Sequence, residues 1–92
     1  ASPFEAEQSI VAHDDVIEAA VVPATDGNGL LKPKAFVVLK DNVDADGINE
    51  AVKKHVQADI GKWKYPRWVE IVEDLPKTAT GKIQRFKLRE EA

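Results

Sequence analysis

The chain has 92 residues, 43% of them hydrophobic and 32% charged, with a formal net charge of −3 and no cysteine. This length predicts a single domain over residues 1–92, and the missing thiols exclude disulfides, thiolate metal sites and thiol nucleophiles. His13 and His55 are too far apart in sequence to form a local ligand pair, so we expect no metal site. The apolar runs fall far short of the ~20 residues that cross a bilayer, and no basic-then-apolar leader opens the chain. We therefore expect a cytoplasmic protein without a membrane segment or a signal peptide.

The first half of the chain predicts one helix and two strands. The segment Ser2-Pro3-Phe4-Glu5 combines a capping serine, a proline at the first helical position and a glutamate three residues after the cap. A helix is therefore predicted to begin at this serine. The nearly all-apolar run Val16–Val22 predicts a buried strand that Pro23 ends. Asp26–Gly29 has the composition of a turn and Lys34–Leu39 that of a second strand, so the two strands are predicted to form a hairpin.

The second half predicts a helix, a strand and a last short helix. Apolar residues recur at every fourth position and predict an amphipathic helix: Ile48, Val52, Val56 and Ile60. Pro66 holds the chain extended before a third strand, Trp68–Val72. Lys77–Lys82 is a polar loop, and Ile83–Glu91 is predicted to form the last helix, with Ile83 and Phe86 on its apolar side.

This order of elements predicts an α+β domain. We expect a small three-stranded, mainly antiparallel sheet flanked by helices, with the 77–82 loop before the short C-terminal helix. A right-handed crossover from the second strand to the third would place the third strand beside the first, which gives the strand order 2-1-3.

The segment Pro76–Lys82 superficially resembles a phosphate-binding loop but lacks two of its requirements. A proline replaces the first glycine, and Ile83 stands where a magnesium-binding Ser or Thr is needed. What remains is Lys82 on a flexible loop of threonine and glycine, which suits a cation that reaches an anion held elsewhere. An ordinary solvated loop is the alternative.

Basic residues are concentrated in the last third of the chain. Residues 1–60 contain five basic and eleven acidic side chains, whereas residues 61–92 contain eight and five, and residues 77–89 contain five cations and no acid. A solvated helix face is one interpretation. A small nucleic-acid-binding domain with Trp63, Tyr65 and Trp68 as stacking residues is another, but the net negative charge disfavours it, and we expect no nucleic-acid partner.

Several motifs follow one another along the chain: Ser2-Pro3-x-Glu5-x-Glu7, His13, Val16-x-Glu18-Ala19-Ala20-Val21-Val22, Lys34-Ala35-Phe36-Val37-Val38-Leu39, Lys64-Tyr65-Pro66-Arg67 and Pro76-x4-Gly81-Lys82-Ile83-Gln84-Arg85. In this order and at this spacing they resemble the C-terminal domain of the adenylate-forming superfamily. That superfamily comprises acyl- and aryl-CoA ligases, luciferases and peptide-synthetase adenylation domains. The resemblance covers essentially the whole chain, and Trp63–Glu90 looks most like the benzoate-type aryl-CoA ligases.

The resemblance implies a reaction in two steps. A carboxylic acid attacks the α-phosphate of ATP to give an acyl-adenylate and pyrophosphate, and the thiol of CoA then displaces AMP to form a thioester. Lys82 matches the catalytic lysine of the first step. Thr80 and Gly81 match the loop that supports it, although simple turn formation is an equal alternative for Thr80. Trp63, Lys64 and Arg67 match positions that often contact the CoA nucleotide, although Trp63 as a cover for the preceding helix end is an equal alternative.

The resemblance also implies partners that this chain does not contain. The large N-terminal domain would hold ATP, its Mg²⁺ and a small aromatic acid, so the 92 residues alone are expected to be inactive. Lys82 further matches a site of reversible acetylation, which implies a protein acetyltransferase and a deacetylase as partners. An adenylation domain that serves a carrier protein instead of free CoA is the alternative within the superfamily.

Overall fold

The computed structural model describes residues 3–41, 43–44, 46–60 and 66–92, which form three helices and three strands. The elements are, in chain order, α1 (Pro3–Val11), β1 (Val16–Thr25), β2 (Leu31–Leu39), α2 (Ile48–Ile60), β3 (Trp68–Ile71) and α3 (Arg85–Glu91). The predicted α+β class and the order of the elements are confirmed. The serine predicted to begin the first helix lies outside the described residues.

The strand order differs from the prediction. Strand β2 lies between β1 and β3, so the order is 1-2-3 and the predicted order 2-1-3 is wrong. Strand β3 runs parallel to β2, from the pair Lys34 and Trp68 to the pair Val37 and Ile71, so the sheet is mixed. Helix α2 thus serves as the crossover of a β-α-β unit that places β3 on the free edge of β2.

The outer edge of β1 lacks free backbone N–H groups at two positions where a third strand would pair, which explains the order 1-2-3. The backbone N–H of Val21 donates to Glu7 Oε2 at 2.9 Å, and Pro23 has no N–H to donate. Pro23 was predicted to end the strand, yet β1 continues to Thr25. Pro23 lies opposite Pro33, whose carbonyl accepts a bond from the N–H of Arg67 on the far side of β2. Neither proline therefore deprives the β1–β2 ladder of a donor.

Each face of the sheet carries its own hydrophobic cluster. Helices α1 and α2 cover one face, where Ile10, Val52 and Val56 are fully buried. On the other face, Phe36 and Leu88 belong to the cluster to which α3 contributes. The prediction that Phe86 lies on the apolar side of the last helix is wrong, since Phe86 is half exposed and Leu88 is buried in its place. None of the helices in the described ranges is long and apolar enough to cross a bilayer.

A bulge in β1 determines which face Glu18 occupies. Val16 pairs with Leu39 and Glu18 with Val38, so Ile17 is the extra residue between them. Without a bulge, residues two apart on a strand would share a face. Here Val16 joins the cluster under α1 and α2, while Glu18 lies beside Val38 of the cluster under α3. The bulge thus brings a carboxylate to the face from which the polar segment 77–82 emerges.

Candidate functional site

The polar segment between β3 and α3 forms a hairpin closed by backbone hydrogen bonds. Lys77 and Ile83 form an antiparallel bridge, and the N–H of Gln84 donates to the carbonyl of Pro76 at 2.8 Å. Because Ile83 is used in this bridge, helix α3 begins at Arg85, two residues later than predicted. We call residues 76–85, which include the first residue of α3, the lysine hairpin.

The turn of the lysine hairpin depends on a glycine. The N–H of Gly81 donates to the carbonyl of Thr78 at 2.9 Å, and Gly81 has a φ of 88°. This left-handed conformation is costly for residues with a Cβ and normal for glycine. The sequence therefore requires glycine here for backbone geometry, whatever further role the residue has.

Thr78 fixes the backbone of Lys82 on both sides. Its N–H donates to the carbonyl of Lys82 at 2.8 Å, and its Oγ1 accepts the N–H of Lys82 at 3.1 Å. The Oγ1 atoms of Thr78 and Thr80 are also 3.0 Å apart. The sequence did not predict this role for Thr78. Threonine hydroxyls often bond to nearby backbone groups, and Thr78 lies four residues before Lys82, which was the available signal.

The side chain of Lys82 is exposed and forms no salt bridge with any residue in the described ranges. Its charge is therefore not used within the described fold. A compact ammonium on a fixed backbone can approach an anion from several directions with three donors.

Two other cations of the same basic run are paired. Lys77 Nζ lies 2.6 Å from Glu18 Oε1 and 3.7 Å from Asp74 Oδ1. The hydrogen bond to Glu18 raises the pKa of Lys77 above its ordinary value. Arg85 binds the carboxylate of Glu7 with two nitrogens, Nε at 2.9 Å and Nη2, and this contact raises the pKa of Arg85. The basic run is thus less available to an external polyanion than its sequence suggests.

Of the residues predicted to contact CoA, the structure describes one. Trp63 and Lys64 lie outside the described residues. Arg67 precedes β3, with an exposed side chain and a backbone N–H that donates to Pro33. A shallow cavity of about 310 Å³ lies nearby on the sheet, lined by Lys34, Trp68 and Glu70 among others.

The two histidines, which the sequence separates, lie together in the fold. Their ring centroids are 5.3 Å apart, so the sequence distance between His13 and His55 was a poor guide to their separation. His13 Nδ1 accepts the N–H of Asp15 at 3.1 Å, and His55 Nε2 donates to the carbonyl of Ser9 at 2.8 Å. Within the described part of the chain, no group of three or more His, Asp or Glu side chains could hold a metal ion.

Residues 5–82 match the family model of the AMP-binding enzyme C-terminal domain. The chain is 54% identical to a 4-hydroxybenzoate–CoA/benzoate–CoA ligase of Rhodopseudomonas palustris over 91 residues, which are 97% of this chain and 17% of the ligase. It is 55% identical to a benzoate–CoA ligase of Thauera aromatica, over 96% of this chain and 17% of that protein.

Solved structures show the same likeness. A benzoate CoA ligase from Burkholderia xenovorans LB400 superimposes with a TM-score of 0.88 at 53% identity, covering 96% of this chain and 18% of the ligase. The chain therefore spans less than a fifth of the length of these relatives. The chain belongs to the AMP-binding enzyme C-terminal domain family, within the adenylate-forming superfamily.

Proposed function

We propose that this chain is the C-terminal domain of a larger AMP-forming acid–CoA ligase that acts on benzoate or a closely related aromatic acid. The relatives named above support the reaction class and the aromatic acid. One feature of the structure carries the proposal: Lys82 is exposed without an acidic partner in the described fold, while its neighbours Lys77 and Arg85 are paired.

The chemistry of the first step requires such a cation. A carboxylate must approach the α-phosphate of ATP, and both groups are anions that repel each other. An ammonium placed between them offsets this repulsion where negative charge develops in the transition state. Lys82 supplies this charge, with its backbone fixed by Thr78 and by the turn at Gly81.

The second step needs CoA, and the segment before β3 is its proposed contact. Arg67 would bind a phosphate of the CoA nucleotide, and the family resemblance implies contacts with the same nucleotide for Trp63 and Lys64, which lie outside the described residues. ATP and the Mg²⁺ that accompanies it would be held by the large domain. The described residues supply no cluster of three metal ligands.

Acetylation of Lys82 is a proposed means of regulation. An acetyl group on Nζ removes the positive charge while leaving the rest of the hairpin unchanged, so the first step would lose its cation. The exposure of Lys82 supports access by a modifying enzyme.

The experiment uses the full-length protein that carries this chain. With benzoate, ATP and CoA it should form benzoyl-CoA and release AMP and pyrophosphate, whereas the 92 residues alone should form no product. Replacing CoA with a carrier protein that bears a pantetheine thiol distinguishes a CoA ligase from an adenylation domain that serves a carrier protein. Release of ADP, or the absence of thioester with any aromatic acid, would contradict the proposal.

A further inference from the structure

We propose that Glu18 and Glu7 are positioning residues for Lys82, since their ion pairs hold the two ends of the lysine hairpin against the rest of the domain. This inference rests on the proposed role of Lys82. It adds two carboxylates that touch neither substrate nor cofactor, and that act through Lys77 and Arg85.

Glu18 fixes the incoming arm of the hairpin. Its carboxylate lies 2.6 Å from Lys77 Nζ, and both side chains are about one-third exposed or less. The bulge at Ile17 turns Glu18 to this face, and Glu18 is the single charged residue in the run Val16–Val22. A charge in an otherwise apolar central segment of a strand is costly unless it is paired, and here its partner belongs to the hairpin.

Glu7 fixes the outgoing arm. Its side chain is 8% exposed, and its two oxygens bind the Arg85 guanidinium. The same carboxylate accepts the N–H of Val21 at 2.9 Å on the outer edge of β1. Helix α1 packs on one face of the sheet and α3 on the other, so this contact joins them around the edge. A two-point Arg–carboxylate pair fixes orientation as well as distance.

The hairpin transmits both restraints to Lys82. The bridge between Lys77 and Ile83 and the two backbone bonds between Thr78 and Lys82 join the arms. Lys82 lies between the anchored residues Lys77 and Arg85, and within the described part of the fold its own ammonium has no anchor. Because a misplacement of about 1 Å can cost about a hundredfold in rate, restraint of the backbone matters for a group that must meet a transition state.

The pairs also remove competing charges. Lys77 is the nearest cation before Lys82 in the chain and Arg85 is the nearest after it, and their charges are offset by Glu18 and Glu7. These two flanking cations therefore compete less with the Lys82 ammonium for an incoming carboxylate or phosphate. Loss of either acid would release a second cation beside the first and make the hairpin ends free to move.

The test uses the full-length ligase and measures the two half-reactions separately in single-turnover experiments. Glu18→Gln and Glu7→Gln remove the charges, and Gln at position 7 can still accept the N–H of Val21. Asp74→Asn is the matched control, because Asp74 also faces Lys77, at 3.7 Å, but lies only three residues before it in the chain and does not tie the hairpin to β1. Glu18→Asp keeps the negative charge. Lys82→Ala shows how far the adenylation rate falls when the cation itself is removed.

We expect each Gln variant to lower the adenylation rate about tenfold and the double variant about a hundredfold, which corresponds to a misplaced catalytic group. Thioester formation from supplied benzoyl-adenylate should be unchanged, as should both half-reactions of Asp74→Asn. Glu18→Asp should recover most of the loss. If Glu7→Gln does not fold, Glu18→Gln and its controls decide the question.

Three results would overturn the inference. If Glu18→Gln matches Asp74→Asn while Lys82→Ala abolishes adenylation, the lysine is needed but Glu18 does not position it. Equal losses in both half-reactions, together with a lower melting temperature, would show a purely structural role. If Lys82→Ala adenylates normally, the proposed function of Lys82 fails, and the positioning of that residue fails with it.

Discussion

The imidazole rings of His13 and His55 meet edge to face, with their centroids 5.3 Å apart. His13 follows α1 and His55 lies in α2, so the contact joins the two helices that cover one face of the sheet. His55 Nε2 donates to the carbonyl of Ser9 at 2.8 Å, which links α2 to α1. The pair thus has a structural role at the junction of the helices.

We predict that His55→Ala destabilises the fold by about 1 kcal/mol, because the carbonyl of Ser9 loses its side-chain donor and the ring contact is lost. The measurement is the free energy of unfolding in urea. Lys54→Ala, on the exposed side of the same helix, is the control and should change stability much less. Equal effects of the two substitutions would contradict this role.

The docking of α3 depends on Leu88 rather than Phe86. Leu88 is 2% exposed and Phe86 is 50% exposed. Leu88→Ala should therefore cost about 2–5 kcal/mol, as for other buried leucines. Phe86→Ala should change the free energy of unfolding by about 0.5 kcal/mol or less. The reverse ranking would show that α3 packs through its other side.

Gly81→Ala tests the turn of the lysine hairpin. A Cβ at this position meets nothing within 4 Å, so its cost comes from the φ of 88° alone. We expect a loss of roughly 1–2 kcal/mol in stability, together with a lower adenylation rate in the full-length enzyme. Gly27→Ala is the matched control, since Gly27 has equal space and no positive φ. If both variants behave alike, the left-handed turn is not required.

Acid should weaken the β1–β2 turn through Asp26. The carboxylate accepts the N–H groups of Leu30 and Asn28, and these bonds lower the pKa of Asp26 below its ordinary value of 3.8. A carboxyl group whose pKa is lowered in the fold stabilises the fold at pH values above its ordinary pKa. This stabilisation is lost as the pH falls through the lowered pKa. The stability difference between wild type and Asp26→Asn should therefore shrink on acidification below 3.8. A difference that stays constant with pH would contradict this origin.

The elements could be predicted from the sequence because their signals are local. The periodicity of α2 and the apolar run of β1 depend on neighbouring residues, and both elements are confirmed. The strand order could not be predicted, because it depends on Glu7 occupying the edge of β1 from a helix that precedes the strand. A contact between distant residues leaves no local pattern.

The candidate site was likewise predicted only in part. Lys82 and Gly81 stand in a motif, and sequence reasoning identified both. The partners of Lys77 and Arg85 were not identified, because a bulge places Glu18 on its face and a carboxylate that reaches around the sheet edge binds Arg85. The weak signals were a single acid in the run Val16–Val22 and a glutamate in a helix that carries core residues.

One substitution in the full-length enzyme tests most directly whether Lys82 supplies the cation of the adenylation step. Lys82→Ala should lower the rate of acyl-adenylate formation by roughly 10²–10³-fold, as for other groups that stabilise transition-state charge. Thioester formation from supplied acyl-adenylate should persist, and Lys87→Ala, another exposed cation of the same basic run, should leave both steps unchanged. Normal adenylation by Lys82→Ala would contradict the account.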